Sequence, residues 1–108
     1  MELIDIAQKV KFSAEKMEKI GLFSTDDALV DLYCVRPGQQ QNVHSHPDFD
    51  KVYYVIAGEA TVRIGGEERN VGPGHLAMAR RGVDHGVRND SAGDLTLLVM
   101  MAPKPDFG

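Results

Sequence analysis

The sequence predicts an all-β sandwich or barrel, and three observations predict it. β-forming apolar runs recur along the chain, the clearest being residues 51–56 (KVYYVI) and 95–101 (LTLLVMM). Turn signals built from glycine, proline and aspartate separate them roughly every ten residues. A 3.6-residue apolar period, which would argue for helix, is almost absent. With 108 residues, 43% of them hydrophobic, the chain forms one globular domain, residues 1–108, around a single core.

Each element follows from local chemistry. Residues 1–12 fit either a short helix or an edge strand, because Leu3, Ile4, Ile6 and Val10 satisfy both periods. Residues 13–16 read as a capped helical turn, with Ser13 accepting from a backbone N–H. Residues 17–24 are strand-like with a bulge at Gly21. Thr25-Asp26-Asp27 turns the chain into a strand over 28–35, which Arg36-Pro37-Gly38 ends. A polar turn carrying His44 and His46 leads into the 51–56 strand, and Ala57-Gly58-Glu59 closes it. Residues 60–64 and 67–71 form a hairpin about Gly65-Gly66, with Val62 and Ile64 on one face and Thr61 and Arg63 on the other. Short strands follow at 75–79 and 85–87, then a polar loop at 89–93 and the last strand at 95–101. The tail, 103–108, is expected to be poorly ordered unless it docks. Both long apolar strands are apolar on two faces, so a second subunit is expected to cover the outer one, giving a homodimer.

Composition excludes several classes of function. A formal net charge of −4 leaves no basic patch for nucleic acid. No apolar run approaches the ~20 residues of a membrane span. The amino terminus lacks a charged-then-apolar export pattern. The single cysteine, Cys34, cannot form an internal disulfide and reads as a buried inert thiol. A cytoplasmic location is expected.

The chemistry concentrates between residues 38 and 89. His44 and His46 stand two apart, a spacing that puts both imidazoles on one face of a strand. A third histidine, His85, sits in GVDHGVRN between a glycine turn and a β-rich stretch. Three imidazoles suit Zn, Ni, Cu or Fe(II) rather than Mg or Ca, which prefer oxygen. His75, after Pro73-Gly74, reads as structural. Tyr53 and Tyr54 must face opposite ways, one into a pocket and the other to core or subunit contact. Arg63 and Arg88 read as solvated. Met78, Met100 and Met101 read as core filler.

These residues form two patterns, Gly38-x5-His44-x-His46-x4-Lys51-x6-Gly58 and Gly74-x5-Arg80-x-Gly82-x2-His85-x3-Asn89. Their order and spacing resemble the two motifs of the cupins, and the resemblance covers roughly residues 27–102. It implies a double-stranded β-helix, or jelly-roll barrel, a divalent metal on His44, His46 and His85, and a small-molecule ligand. Two positions depart from the family pattern. Arg80 stands where a proline is usual, a matter of turn chemistry. Lys51 stands where the family usually carries a glutamate as fourth ligand.

That lysine alters the electrostatics of the site. At about 5 Å and an effective dielectric near 20, repulsion between a divalent ion and an ammonium is roughly 6–7 kcal/mol. Lys51 can pair with Asp48 or Asp50, swing to solvent, lose its proton, or sit in a metal-free pocket. A shift of one residue in the loop would instead turn Asp50 inward as a possible fourth ligand. Two functions then follow from the resemblance. One is a metal-dependent enzyme of dioxygenase or isomerase type acting on a small polar or anionic molecule, with Lys51 and Tyr53 lining the pocket. The other is a non-catalytic cupin that binds or senses a small ligand, its metal structural or absent. Fold alone does not separate them.

Overall fold

The structure is a computed structural model that describes residues 1–105. Among them lie nine strands: β1 (Glu18–Ser24), β2 (Leu29–Val35), β3 (Gln40–His44), β4 (Asp50–Ala57), β5 (Ala60–Ile64), β6 (Glu67–Val71), β7 (Leu76–Ala79), β8 (His85–Arg88) and β9 (Leu95–Ala102). The predicted strands all form, with ends moved by a residue or so. The ambiguous first segment is neither long helix nor edge strand. It holds a single 3₁₀ turn, Ile6–Gln8, capped by the Asp5 carboxylate on the Ala7 N–H. Ser13 accepts from the Glu15 N–H as expected, but no helix follows.

Two antiparallel sheets face each other, ordered β1-β2-β9-β4-β7 and β3-β8-β5-β6. Strands distant in sequence pair, β2 and β4 both with β9, and β3 with β8. This is the jelly roll expected from the sequence. Alternation along each strand decides what goes inside. In β4, Lys51, Tyr53 and Val55 are buried, while Tyr54 faces out; in β9, Leu95, Leu97, Val99 and Met101 fill the interior. Tyr33, Val35, Val62 and Val87 complete the core between the sheets. Each such side chain contributes about 1.5–3 kcal/mol through burial. β1 carries the predicted irregularity between Gly21 and Phe23.

The outer face of the five-stranded sheet is covered only in part. Leu32 and Cys34 point away from the core yet are fully buried, and the backbone of Lys11 hydrogen-bonds Cys34. Burial raises the pKa of that thiol, in keeping with an inert cysteine. The chain's own N-terminal segment thus supplies cover that the sequence assigned wholly to a second subunit. Beyond it, Tyr54, Leu76, Met78 and Met100 remain 36–69% exposed. They are contiguous, since Val52 opposes both Met78 and Met100, and Tyr54 opposes Leu76. Met78 and Met100 are therefore surface residues rather than core filler; Met101 is the one in the core. In the tail, Pro105 is buried, and residues 106–108 lie outside the described residues. No helix among the described residues is long and apolar enough to cross a membrane.

Asn89 fastens the end of β8 to β2. It is fully buried, donates to the carbonyls of Val35 and Gly93, and accepts from the Ser91 N–H and hydroxyl. Gly58, after β4, has φ +86°, and a Cβ there would stand 2.3 Å from the Asp94 carbonyl oxygen. Gly74 has nearly the same φ, +84°, but open space around it. Gly58→Ala should therefore cost at least about 2–3 kcal/mol, and Gly74→Ala only the ~1–2 kcal/mol of left-handed backbone strain. Urea unfolding of both variants checks this; equal losses would mean that the approach of Asp94 does not matter.

Candidate metal centre

The site is built where β3 pairs with β8. Their register sets His44 directly opposite His85, and a bulge interrupts the pairing between Gln41 and His44. In a regular strand, residues three apart face opposite sides. Here the extra residue lets Gln41 and His44 both turn inward, while Val43 is pushed out. Gly86 makes room for this. A Cβ at Gly86 would lie 3.0 Å from the Gln41 carbonyl oxygen and 3.2 Å from the Val43 Cα.

His46 does not share a strand with His44. It lies in the loop between β3 and β4, where its ring stacks on buried Phe49 at 4.5 Å. The predicted convergence is nonetheless present. Ring centroids are 4.7 Å apart for His44 and His46, 4.5 Å for His44 and His85, and 5.6 Å for His46 and His85. One nitrogen from each lies within 4.8 Å of the others, and no carboxylate or thiol joins this cluster among the described residues.

Backbone carbonyls orient two of the rings. His44 Nδ1 lies 2.6 Å from the Asn42 oxygen, and His85 Nδ1 lies 2.9 Å from the Val83 oxygen. A carbonyl only accepts, so both Nδ1 atoms carry the proton and both Nε2 atoms keep a lone pair. His85 Nε2 is buried and has no hydrogen-bond partner among the described residues. An orphaned buried acceptor beside two other imidazoles fits a metal ion, as does the backbone anchoring of the remote nitrogens. Metal–nitrogen bonds of ~2.1 Å allow at most ~4.2 Å between ligand atoms, so a small closure of the rings suffices. Burial pushes the His85 pKa down to about 4, with Lys51, His44 and His46 adding to the effect against the Val83 hydrogen bond. The His46 pKa is lowered as well, first by burial and then by His44. Neutral imidazole is the form that ligates.

Lys51 is 2% exposed and points into the barrel beside this cluster. Its Nζ donates to Gln41 Oε1 at 3.1 Å and sits 5.3 Å from the rings of Tyr33 and Tyr53. Gln41 is the hub, since Oε1 also accepts from the Tyr53 hydroxyl and Nε2 donates to the Tyr33 hydroxyl. Burial, helped by Lys19 and opposed by Asp31, lowers the Lys51 pKa to about 7. Of the escapes open to this lysine, solvent exposure and pairing with Asp50 are not taken.

Asp50, the possible fourth ligand, is turned away. Its carboxylate accepts from the Arg81 backbone N–H at 2.9 Å and from the guanidinium of the same residue. This lowers its pKa and keeps it outside the histidine cluster. Period-two alternation gives the inward place to Lys51 instead. A cavity of about 180 Å³ lies between Lys51, His44, His46, Tyr33, Asp31 and Lys19. Gln41, Tyr33 and Asp31 escaped the sequence reading. Gln41 stands in a run of three glutamines, and only the bulge singles it out. Arg88 is bound to Glu68 and Asp90 at the surface, Arg63 is exposed, and His75 is an exposed turn residue whose ring approaches the Gly72 carbonyl.

A jelly roll with three imidazoles converging between its sheets defines the class as a small cupin-type barrel. The cupin domain family matches residues 31–101, and the chain belongs to that family. The TT1209 structure from Thermus thermophilus is 48% identical, covers 97% of this chain and 100% of its own, and superposes with a TM-score of 0.94. A conserved protein with a double-stranded β-helix domain from Klebsiella pneumoniae is 26% identical over 95% of this chain and 90% of its own, with a TM-score of 0.87. The tetracenomycin polyketide synthase protein TcmJ of Streptomyces glaucescens is 32% identical over 77 residues, 67% of this chain. The chain spans 50% of the length of TcmJ.

The depressed His85 pKa ties stability to pH. Between pH 6.5 and about 4 the unfolded chain takes up a proton that the folded metal-free protein refuses. Stability should therefore be unaffected by His85 above this window and fall by up to roughly 3 kcal/mol on acidification through it. Urea unfolding of metal-free wild type and His85→Gln as a function of pH checks this, the variant losing less. Parallel losses would remove His85 as the group responsible.

Proposed function

We propose that the protein is a metal-binding cupin in which His44, His46 and His85 hold one divalent transition ion, Zn, Ni, Fe or Cu, next to a pocket for a small polar or anionic molecule. The observation that carries this reading is the buried, unpartnered His85 Nε2 beside two further imidazoles. A bound ion supplies Lewis acidity to a ligand oxygen. Lys51 and Tyr33 line the cavity, while Tyr53, expected from the sequence to line it, is buried in the core and donates to the same Gln41 Oε1 that holds Lys51. An enzyme of dioxygenase or isomerase type is the catalytic form of this reading. The buried Lys51 cation favours a second form, in which the cupin binds or senses its ligand without catalysis and the metal is structural or absent.

Chelator-competition titration of untagged protein tests the centre. His44→Ala, His46→Ala and His85→Ala should each weaken metal binding by at least about tenfold, since two imidazoles are too few for tight binding. Asp50→Asn should leave it unchanged. Histidine variants that hold metal as tightly as wild type would place the ion elsewhere.

A homodimer belongs to the same proposal. The strip Tyr54, Leu76, Met78 and Met100 is apolar and contiguous on the outer sheet face, which suits a second copy of the chain. Sedimentation equilibrium at micromolar protein should give twice the mass of one chain, and Met78→Lys should shift it towards one. A wild-type monomer would sink the dimer.

A further inference from the structure

The charge of the cavity points to what must enter it with the metal. Two lysines, Lys19 and Lys51, and one acidic residue, Asp31, line it together with His44 and His46. Of the other acids nearby, Asp50 is held by Arg81 and Asp48 is an exposed loop residue beside His46; no carboxylate belongs to the histidine cluster among the described residues. Three neutral imidazoles cancel none of an ion's charge. A divalent ion at the cluster would therefore add uncancelled positive charge close to Lys51, which is buried and poorly screened by water, whereas Lys19 is exposed. Lys51 is buried and anchored through a single hydrogen bond to Gln41. An ammonium has three N–H groups, so two remain to meet a ligand.

Resting on the metal centre proposed above, we infer that the cavity takes a small carboxylate anion between the Lys51 ammonium and the ion, so that metal and anion each tighten the other's binding. The anion supplies the negative charge that the chain withholds. The cavity is small, about 180 Å³, which suits a short carboxylate such as a 2-oxo or 2-hydroxy acid. Asp31 opposes the anion and sets an upper limit on the negative charge the cavity accepts.

The test is a chelator-competition titration with Zn²⁺, using pyruvate and acetate as probes, with chloride at equal ionic strength and neutral acetamide as controls. Wild-type protein should bind Zn²⁺ about tenfold more tightly with saturating pyruvate, and Zn²⁺ should tighten pyruvate by the same factor. Acetamide should do nothing. Lys51→Met should bind Zn²⁺ more tightly than wild type without anion and lose most of the coupling. Lys51→Gln serves the same purpose if the methionine variant fails to fold. Asp31→Asn should strengthen the coupling. Equal coupling in wild type and Lys51→Met would overturn the inference. So would Zn²⁺ binding to wild type that ignores pyruvate and instead releases a proton from Lys51. The underlying metal centre fails separately, if wild type binds no Zn²⁺ with or without pyruvate.

Discussion

The site depends on one backbone irregularity, the bulge of β3 against Gly86. A regular pairing of β3 with β8 would turn either Gln41 or His44 away from the barrel. The bulge turns both inward, and the absence of a side chain at Gly86 leaves the space that the displaced backbone occupies. From there two sets of contacts spread. His44 meets His85 and His46 to make the imidazole cluster. Gln41 meets Lys51, Tyr53 and Tyr33 to organise the polar floor of the cavity.

Lys51 is the second constraint, and it acts against stability. Removing an ammonium from water is unfavourable, which is why its pKa falls to about 7. One hydrogen bond and two aromatic faces offset only part of this. A buried cation retained beside an orphaned imidazole nitrogen sets local stability against site chemistry, a conflict characteristic of functional pockets. Among the described residues no other buried side-chain nitrogen or oxygen lacks a partner, and Asn89 is fully bonded, so this tension is confined to the cavity.

The same five-stranded sheet serves three surfaces. Its inner face builds the core and presents Lys51 and Tyr53. Part of its outer face is met by the chain's own N-terminal segment, whose Lys11 backbone reaches Cys34. The rest is the exposed strip around Tyr54 and Met78. Covering part of the sheet with its own chain lets a short domain bury more apolar surface than its strands alone could.

The strands other than β3, the jelly roll and the three histidines were legible in the sequence; Gln40–His44 reads there as a polar turn and is a strand. Alternation, turn residues and motif spacing are local properties, and they survive folding unchanged. The opposed facing of Tyr53 and Tyr54 was legible too, because a strand's period of two leaves no other choice. Packing settled the rest. A bulge shifts faces by one residue and leaves no mark in a run of glutamines, so Gln41 was hidden. His46 reaches the cluster from a loop, where strand periodicity has no force. Asp50 is withdrawn by Arg81, 31 residues away in the chain. Met78 and Met100 lie outside because the sheet has two apolar faces and only one core. Which face meets the other sheet is settled by contacts across the barrel, and that information is not local.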